Sequence, residues 1–84
     1  MSSEQGQCHD VLCATIRLFD DKGGDSAKPL VNLWEIAEAT SLPGPVVENC
    51  LRSLKSAGYL DYDAHGDGSL FAVKEITAGG RALC

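Results

Sequence analysis

The stretch SLPGPVVENCLRSLKSAGYL, residues 41–60, decides how the chain folds. Its apolar residues recur at steps of four and three, which predicts a helix that buries one face. They are Val47, Leu51 and Leu54. Pro43 and Pro45 are compatible with this helix if they lie at its start, where backbone N–H groups have no intrahelical partner. Gly58 suits the C-terminal cap. We therefore predict a helix that starts at the two prolines and ends at this glycine.

Two further helical patterns precede this stretch. The run CHDVLCATIRLFDD, residues 8–21, repeats apolar residues at steps of four, four and three, and the loop-forming KGGDSAKP follows it. A few extended residues are expected after Pro29. Asn32 then has the position of a helix N-cap, with Glu35 three residues on to complete a capping-box pattern. A short helix over LWEIAEAT, residues 33–40, is therefore expected.

The last third of the chain predicts a hairpin and a helical stub. YLDYDA and SLFAVKEI are β-rich runs on either side of HGDG, which is typical of a β-hairpin. In TAGGRALC, Thr77 is a candidate N-cap for one or two helical turns. We expect residues 1–6 to be disordered and residues 7–84 to form one α+β domain with a three-helix core, a hairpin and a C-terminal stub.

Composition limits the classes of protein that the chain can represent. With 84 residues there is material for one small core. A net charge of −5, from seven basic and twelve acidic side chains, argues against a protein that coats nucleic acid with positive charge. No apolar run approaches the roughly 20 residues that span a bilayer, and the opening MSSEQGQ lacks the regions of a secretion signal. We expect a soluble, cytoplasmic protein without a membrane partner.

The cysteines are expected to be free thiols, because their spacing is irregular and no secretion signal precedes them. They are Cys8, Cys13, Cys50 and Cys84. A CHxxxC cluster, Cys8 to Cys13 with His9, suggests zinc or redox chemistry. A five-residue helical step turns about 140°, however, so the two cysteines do not share a face, and ordinary packing is favoured over a metal site. A redox pair that includes Cys84, a terminal residue expected to be exposed, ranks slightly above the metal site and below ordinary packing. Cys50 is interpreted as a small buried hydrophobe.

Nothing in the sequence indicates catalysis. It contains no nucleophile with a matched base, no glycine-rich phosphate loop ahead of a helix and no paired carboxylates in an evident cleft. A domain of this size also has little room for a pocket. We expect a protein that is not an enzyme and that has no cofactor and no metal site.

Taken together, these elements resemble the winged helix-turn-helix domains of bacterial and archaeal transcription regulators. IAEAT is similar to the supporting helix and turn, VxxxLxxLxxAGYL to the recognition helix that runs into the first wing strand, and ITAGGRAL to the close of several such families. The resemblance covers residues 30–83, and the first helix fits the same topology. It implies a DNA-binding transcriptional regulator, although many winged helices serve as protein-interaction modules.

The resemblance also implies which residues face double-stranded DNA. In such domains the start of the recognition helix enters the major groove, and the hairpin wing reaches the adjacent backbone or minor groove. The expected DNA-binding residues are Gly44, Glu48, Asn49, Arg52, Lys55, Ser69 and Lys74. Asn49 can pair with adenine, Arg52 with guanine or phosphate, and Glu48 with a cytosine amine.

The charge of this region departs from the usual pattern. From Pro43 to Lys74 there are three basic residues against four acidic ones, a local balance of −1. Three of the acidic residues lie in the hairpin: Asp61, Asp63 and Asp67. Tight non-specific binding to DNA is therefore not expected. A homodimer, formed through the first helix and the C-terminal stub, would add a second set of contacts.

A second hypothesis comes from a different class. Trp34 falls off the apolar face of its helix, where it either covers the edge of the core, which we favour, or presents an aromatic anchor to a protein partner. With Asp61 and Asp63 it would form the surface of an interaction module that does not bind DNA. Loss of a partner with Trp34→Ala, against loss of duplex binding with Arg52→Ala, separates the two hypotheses.

Overall fold

Helices and a three-stranded sheet make up the computed structural model, which describes residues 3–66 and 69–84. The elements in chain order are α1 (Ser3–Asp21), α2 (Gly24–Ala27), β1 (Leu30–Asn32), α3 (Leu33–Thr40), α4 (Gly44–Ser56), β2 (Leu60–His65), β3 (Leu70–Ile76) and α5 (Ala78–Ala82). The α+β class expected from the sequence is confirmed. Only α2, a single turn within the expected loop, was not predicted.

The longest helix, α1, ends at Asp21 as predicted but begins earlier than expected. Residues 3–6, predicted to be disordered, form its first turn, whereas residues 1 and 2 lie outside the described part of the chain. Glu and Gln in SEQGQ are good helix formers, which is consistent with this extension. Neither α1 nor any other helix in the described residues is long and apolar enough to cross a membrane.

The ends of α3 and α4 follow the capping signals in the sequence. The Asn32 side chain accepts a hydrogen bond from the Trp34 N–H over 2.8 Å, and the Asn32 N–H donates to Glu35 over 3.0 Å, which confirms the capping box.

In α4, Pro43 is the N-cap residue and Pro45 lies in the first turn. At the other end Gly58, with φ 83°, and Tyr59 donate N–H bonds to carbonyls of the last turn over 3.1 and 3.0 Å. This pair of bonds is a Schellman cap, so both predicted helix boundaries are confirmed.

The sheet has the order β1-β3-β2, and both neighbouring pairs are antiparallel. The predicted hairpin is therefore present, and the extended piece after Pro29 adds a third strand to it. The carbonyl of Ser69 also accepts a hydrogen bond from the Leu33 N–H over 2.6 Å, which ties the hairpin to the start of α3. Asp67, part of the acidic hairpin in the sequence, lies outside the described residues.

One apolar core lies between the helices and the inner face of the sheet. Its fully buried side chains come from α1, β1, α3, α4, β2 and β3: Val11, Leu12, Phe19, Val31, Ile36, Val47, Leu51, Leu60 and Val73. The predicted inward stripe of α4 is thus confirmed. The polar Thr15, 1 % exposed, satisfies its hydroxyl by donating to the Val11 carbonyl over 2.7 Å.

The expectation of free thiols was wrong, because all four cysteines are paired. Cys8 is bonded to Cys50 and Cys13 to Cys84, with Cα atoms 4.8 and 5.6 Å apart. Sequence spacing could not reveal these pairs, since each joins α1 to a distant element that packs across it. The inference that Cys8 and Cys13 face different sides of α1 is consistent with their different partners.

The C-terminal stub α5 is anchored at its first turn. Thr77, the predicted N-cap, accepts from the Gly80 N–H over 3.1 Å and donates to the carbonyls of Gly58 and Tyr59 over 2.9 and 3.0 Å. Gly80 is buried against the Tyr59 carbonyl.

An ion pair to α1 continues this anchor. The two terminal guanidinium nitrogens of Arg81 donate hydrogen bonds to the Asp20 carboxylate over 3.1 and 3.0 Å. These bonds hold the pKa of Asp20 below its ordinary value. Together these contacts place Cys84 beside α1.

A candidate functional surface at α4 and the β2–β3 hairpin

The outer side of α4 presents a short polar row. Asn49 and Arg52 are exposed, and Glu48 is half-buried between them and the helix start. The Arg52 guanidinium donates to Glu48 Oε1 over 2.8 Å, an ion pair one helical turn apart. The carboxylate therefore orients the arginine along the helix surface.

Gly44 does not belong to this exposed row, so its expected outward position was wrong. It is buried at the first residue of α4. A Cβ built on Gly44 would lie 3.1 Å from Cζ3 of Trp34 and 3.6 Å from a methyl group of Leu33. The indole ring reaches over from α3 and covers this residue, an arrangement that helical periodicity within α4 cannot foresee.

Trp34 combines the two positions that the sequence left open. One edge of the ring packs on Gly44, but 62 % of the residue is exposed. Core-edge packing, the favoured interpretation, thus accounts for only part of its surface. Trp34, Gly44, Pro45 and Asn49 line a shallow groove at the start of α4, where an aromatic surface and polar side chains meet.

Lys55, in the last turn of α4, and Lys74, on β3, each form an ion pair with a carboxylate of the hairpin. Lys55 Nζ donates to the Tyr62 carbonyl over 2.8 Å, lies 3.6 Å from Asp61 and sits 5.0 Å from the centre of the Tyr62 ring. Lys74 lies 3.0 Å from Asp63 across the two strands. The hydrogen bond between them lowers the pKa of Asp63 and raises the pKa of Lys74, so both stay charged at neutral pH.

Tyr62 packs beneath the Lys55 ammonium group. Its ring is 9 % exposed and packs edge-on against Phe71, with centroids 5.0 Å apart. Burial raises the pKa of the phenol, while nearby Arg52 lowers it and Glu48 raises it. The phenol is therefore neutral at physiological pH and acts as a packing residue that supports Lys55.

The net effect on this surface is local neutrality. Each basic residue predicted to contact DNA has a carboxylate partner within 3.6 Å. The side chains in these pairs are 45–69 % exposed, so solvent screens their attraction and the pairs contribute little to stability. They could therefore be exchanged for phosphate contacts at little cost. Ser69 is half-buried and directly precedes β3 at the turn end of the hairpin, where its carbonyl accepts the hydrogen bond from Leu33.

A second cluster joins the middle of α1 to the C-terminus, and the sequence indicated only part of it, through the CHxxxC pattern. The ligand atoms of His9, Cys13 and Cys84 lie within 4.8 Å of one another. His9 Nε2 donates to the Leu83 carbonyl over 2.5 Å and lies 3.7 Å from the Cys13 sulfur. The four-residue step from His9 to Cys13 is visible in the sequence as one face of a helix. The proximity of Cys84, which follows Cys13 by 71 residues, is not visible in the sequence.

Comparisons with protein-family models, with curated proteins and with solved structures return no match. Function must therefore be argued from the geometry of the chain itself.

Proposed function

We propose that this chain is a winged helix-turn-helix domain that binds double-stranded DNA as a transcriptional regulator. In this proposal α3 and α4 are the helix pair, α4 is the recognition helix and the β2–β3 hairpin is the wing. The observation that carries the proposal is the exposed pair Asn49 and Arg52 on the outer side of α4. Amide and guanidinium groups are the side chains that read adenine and guanine edges bidentately.

The remaining contacts would be made by residues that exchange partners. Lys55 lies in the last turn of α4 and Lys74 on β3 of the hairpin, where this fold approaches the phosphate backbone. On binding, each would leave its aspartate for a phosphate oxygen. Because the aspartates stay near the DNA, one domain should bind weakly, and a homodimer on two half-sites would bind more tightly.

Fluorescence anisotropy with labelled duplexes, from about 20 to 200 mM salt, tests this proposal. The affinity should fall steeply with salt. Arg52→Ala should weaken binding and relax the preference for guanine, and Lys55→Ala should weaken binding to all sequences and reduce the slope of log K against log salt by about 1. Arg17→Ala is the matched control, since it removes one exposed arginine from α1. Absence of duplex binding at the lowest salt, or equal losses with Arg52→Ala and Arg17→Ala, would contradict the proposal.

A second candidate function is favoured by Trp34. We propose as the alternative that the groove at the start of α4 docks a protein partner, with the indole as an anchor, and that Asp61 and Asp63 on the hairpin make a second, acidic contact with it. An aromatic residue that is 62 % exposed beside a groove is the kind of side chain that dominates binding energy at interfaces.

A pull-down with the purified chain distinguishes this alternative from DNA binding. A partner that is bound by the parent should be lost with Trp34→Ala and weakened by Asp61→Lys/Asp63→Lys. It should be retained with Leu30→Ala, which removes another exposed apolar side chain, 48 % exposed on β1. Retention of the partner by Trp34→Ala would refute an indole anchor.

A regulator of this kind would act in the cytoplasm, where thiols are normally kept reduced. The disulfide-bonded form would then be one of two redox forms of the same domain. In the reduced form four sulfur atoms become available for other chemistry.

A further inference from the structure

We infer that reduction of the Cys13–Cys84 disulfide creates a binding site for a thiophilic divalent cation such as Zn²⁺. The ligands are His9, Cys13 and Cys84, whose donor atoms already lie within 4.8 Å of one another. This inference is independent of DNA binding, because the cluster lies on α1 and after α5, away from the outer side of α4. Thiolate sulfur and imidazole nitrogen are the donors that zinc prefers.

The geometry of the cluster is close to that of a tetrahedral site. Zn–N and Zn–S bonds of about 2.0 and 2.3 Å at a tetrahedral angle separate the two donor atoms by about 3.5 Å. His9 Nε2 lies 3.7 Å from the Cys13 sulfur, since the two residues are one turn apart on the same face of α1. Small side-chain rotations therefore suffice to place both donors around one ion.

Cys84 stays within reach after the disulfide opens. The stub that precedes it is held by the hydrogen bonds of Thr77 and by the two-pronged Arg81–Asp20 ion pair, neither of which involves sulfur. The third ligand is thus positioned by the fold and not by the covalent bond alone.

The surroundings of His9 also suit metal binding. Ligation through Nε2 requires that the ring proton move to Nδ1 and that the bond to the Leu83 carbonyl be released. Nδ1 lies 4.0 Å from Asp10 Oδ1, longer than a hydrogen bond, so a shift of about 1 Å would make this carboxylate the outer partner that a metal-bound histidine commonly has. His9 and Cys84 are exposed and Cys13 is half-buried, so an ion can enter from solvent.

The redox step has a defined balance. A dithiol reductant supplies two electrons and two protons, the S–S bond breaks to give two thiols, and the reductant leaves as its own disulfide. Binding of Zn²⁺ then releases the two thiol protons to solvent and forms two Zn–S bonds. Metal and disulfide are mutually exclusive states of the same two sulfurs. Three protein ligands leave one position for water or an external ligand.

The second disulfide is better protected from reduction. Cys50 is 4 % exposed within the core, whereas Cys84 is exposed. A reductant therefore reaches Cys13–Cys84 first, and Cys8–Cys50 can keep α1 joined to α4 in the metal-binding form.

The test is a Co²⁺ titration, followed by Zn²⁺ displacement, of protein treated with limiting dithiol and desalted without oxygen. Alkylation of two thiols confirms that one disulfide was opened, and far-UV circular dichroism confirms the fold. One Co²⁺ per chain should bind, with the absorption bands of a tetrahedral thiolate site. The oxidised chain should bind none.

Variants show which sulfurs are used. His9→Ala and Cys84→Ser should weaken Co²⁺ affinity at least about tenfold, the loss that outer ligand partners alone can cause. His65→Ala, which removes the other histidine of the chain from the hairpin, keeps the proposed ligands and both disulfides and should bind like the parent. No Co²⁺ binding by the reduced chain, or unchanged affinity in Cys84→Ser, would overturn the inference. So would a reduced chain that unfolds and does not regain secondary structure with Zn²⁺.

Discussion

Two single substitutions in α5, Gly79→Ala and Gly80→Ala, should change the stability of the domain in opposite directions. Gly79 and Gly80 are neighbours in the same helical turn, and neither has a positive φ, so alanine can adopt both backbones. Their surroundings differ. A Cβ on Gly79 would meet only ordinary contacts, 3.8 Å from the Thr77 hydroxyl and 3.9 Å from the Tyr59 ring. A Cβ on Gly80 would collide with the Tyr59 carbonyl oxygen.

The expected magnitudes follow from these contacts. Gly79→Ala should stabilise the domain by about 0.5 kcal/mol, because alanine loses less backbone entropy in a helix. Gly80→Ala makes the same entropic gain but forces α5 away from a rigid backbone group, and such overpacking costs about 1–3 kcal/mol. The displacement also strains the bonds that Thr77 makes to the carbonyl groups before β2. We expect a net destabilisation of about 2 kcal/mol for Gly80→Ala.

Urea unfolding of the oxidised proteins, followed by circular dichroism, measures both values. For a domain of this size the predicted changes correspond to a melting temperature that rises by about 2–4 °C for Gly79→Ala and falls by about 8–16 °C for Gly80→Ala. Equal stabilities for the two variants would refute the close approach of α5 to Tyr59. Gly80→Ser, which carries the same Cβ, should be destabilised as well.

Three further predictions concern the caps and the disulfides. Asn32→Ala removes the side-chain bond of the capping box but keeps the backbone N–H that donates to Glu35, and it should lower the free energy of unfolding by about 1 kcal/mol in urea titrations, whereas Asn32→Asp should be nearly neutral. The bond from the Asn32 N–H, helped by Lys22 and opposed by burial, holds the pKa of Glu35 below its ordinary value of 4.5. The ionised Glu35 carboxylate contributes its full stabilisation above pH 4.5, and this contribution is lost as the pH falls through the lowered pKa. The melting temperature of Glu35→Gln should therefore fall less steeply on acidification than that of the parent. Cys8→Ser/Cys50→Ser opens a loop of 42 residues and should cost about 4 kcal/mol in urea titrations, and an unchanged midpoint would contradict that estimate.

Local signals predicted most of the fold. The stripe of α4, the cap at Asn32 and the glycine at residue 58 each act on neighbouring residues, so one segment contains all the information that the prediction needs. The hairpin is likewise a local structure. These elements are present where they were expected, apart from the earlier start of α1 and the extra turn of α2.

The sequence did not predict contacts between segments that are far apart along the chain. Gly44 was expected on the outer side of α4, but an indole ring from α3 covers it. The cysteines were expected to be free, but their pairing depends on how α1 crosses α4 and on where α5 returns. The ion pairs that neutralise Lys55 and Lys74 depend in the same way on the position of the hairpin. Charge counting gave a local balance of −1 but could not show which basic residue pairs with which carboxylate.

The intrinsic fluorescence of Trp34 can report whether the groove at the start of α4 is occupied. It is the single tryptophan of the chain, and most of its ring faces solvent already in the folded state. Unfolding should therefore change its emission little, which makes tryptophan fluorescence a poor measure of stability for this domain. Any occupant of the groove at the start of α4 would cover the ring, shift its emission to shorter wavelength and shield it from iodide. Duplex DNA and a protein partner can thus be compared, without a label, by the same signal.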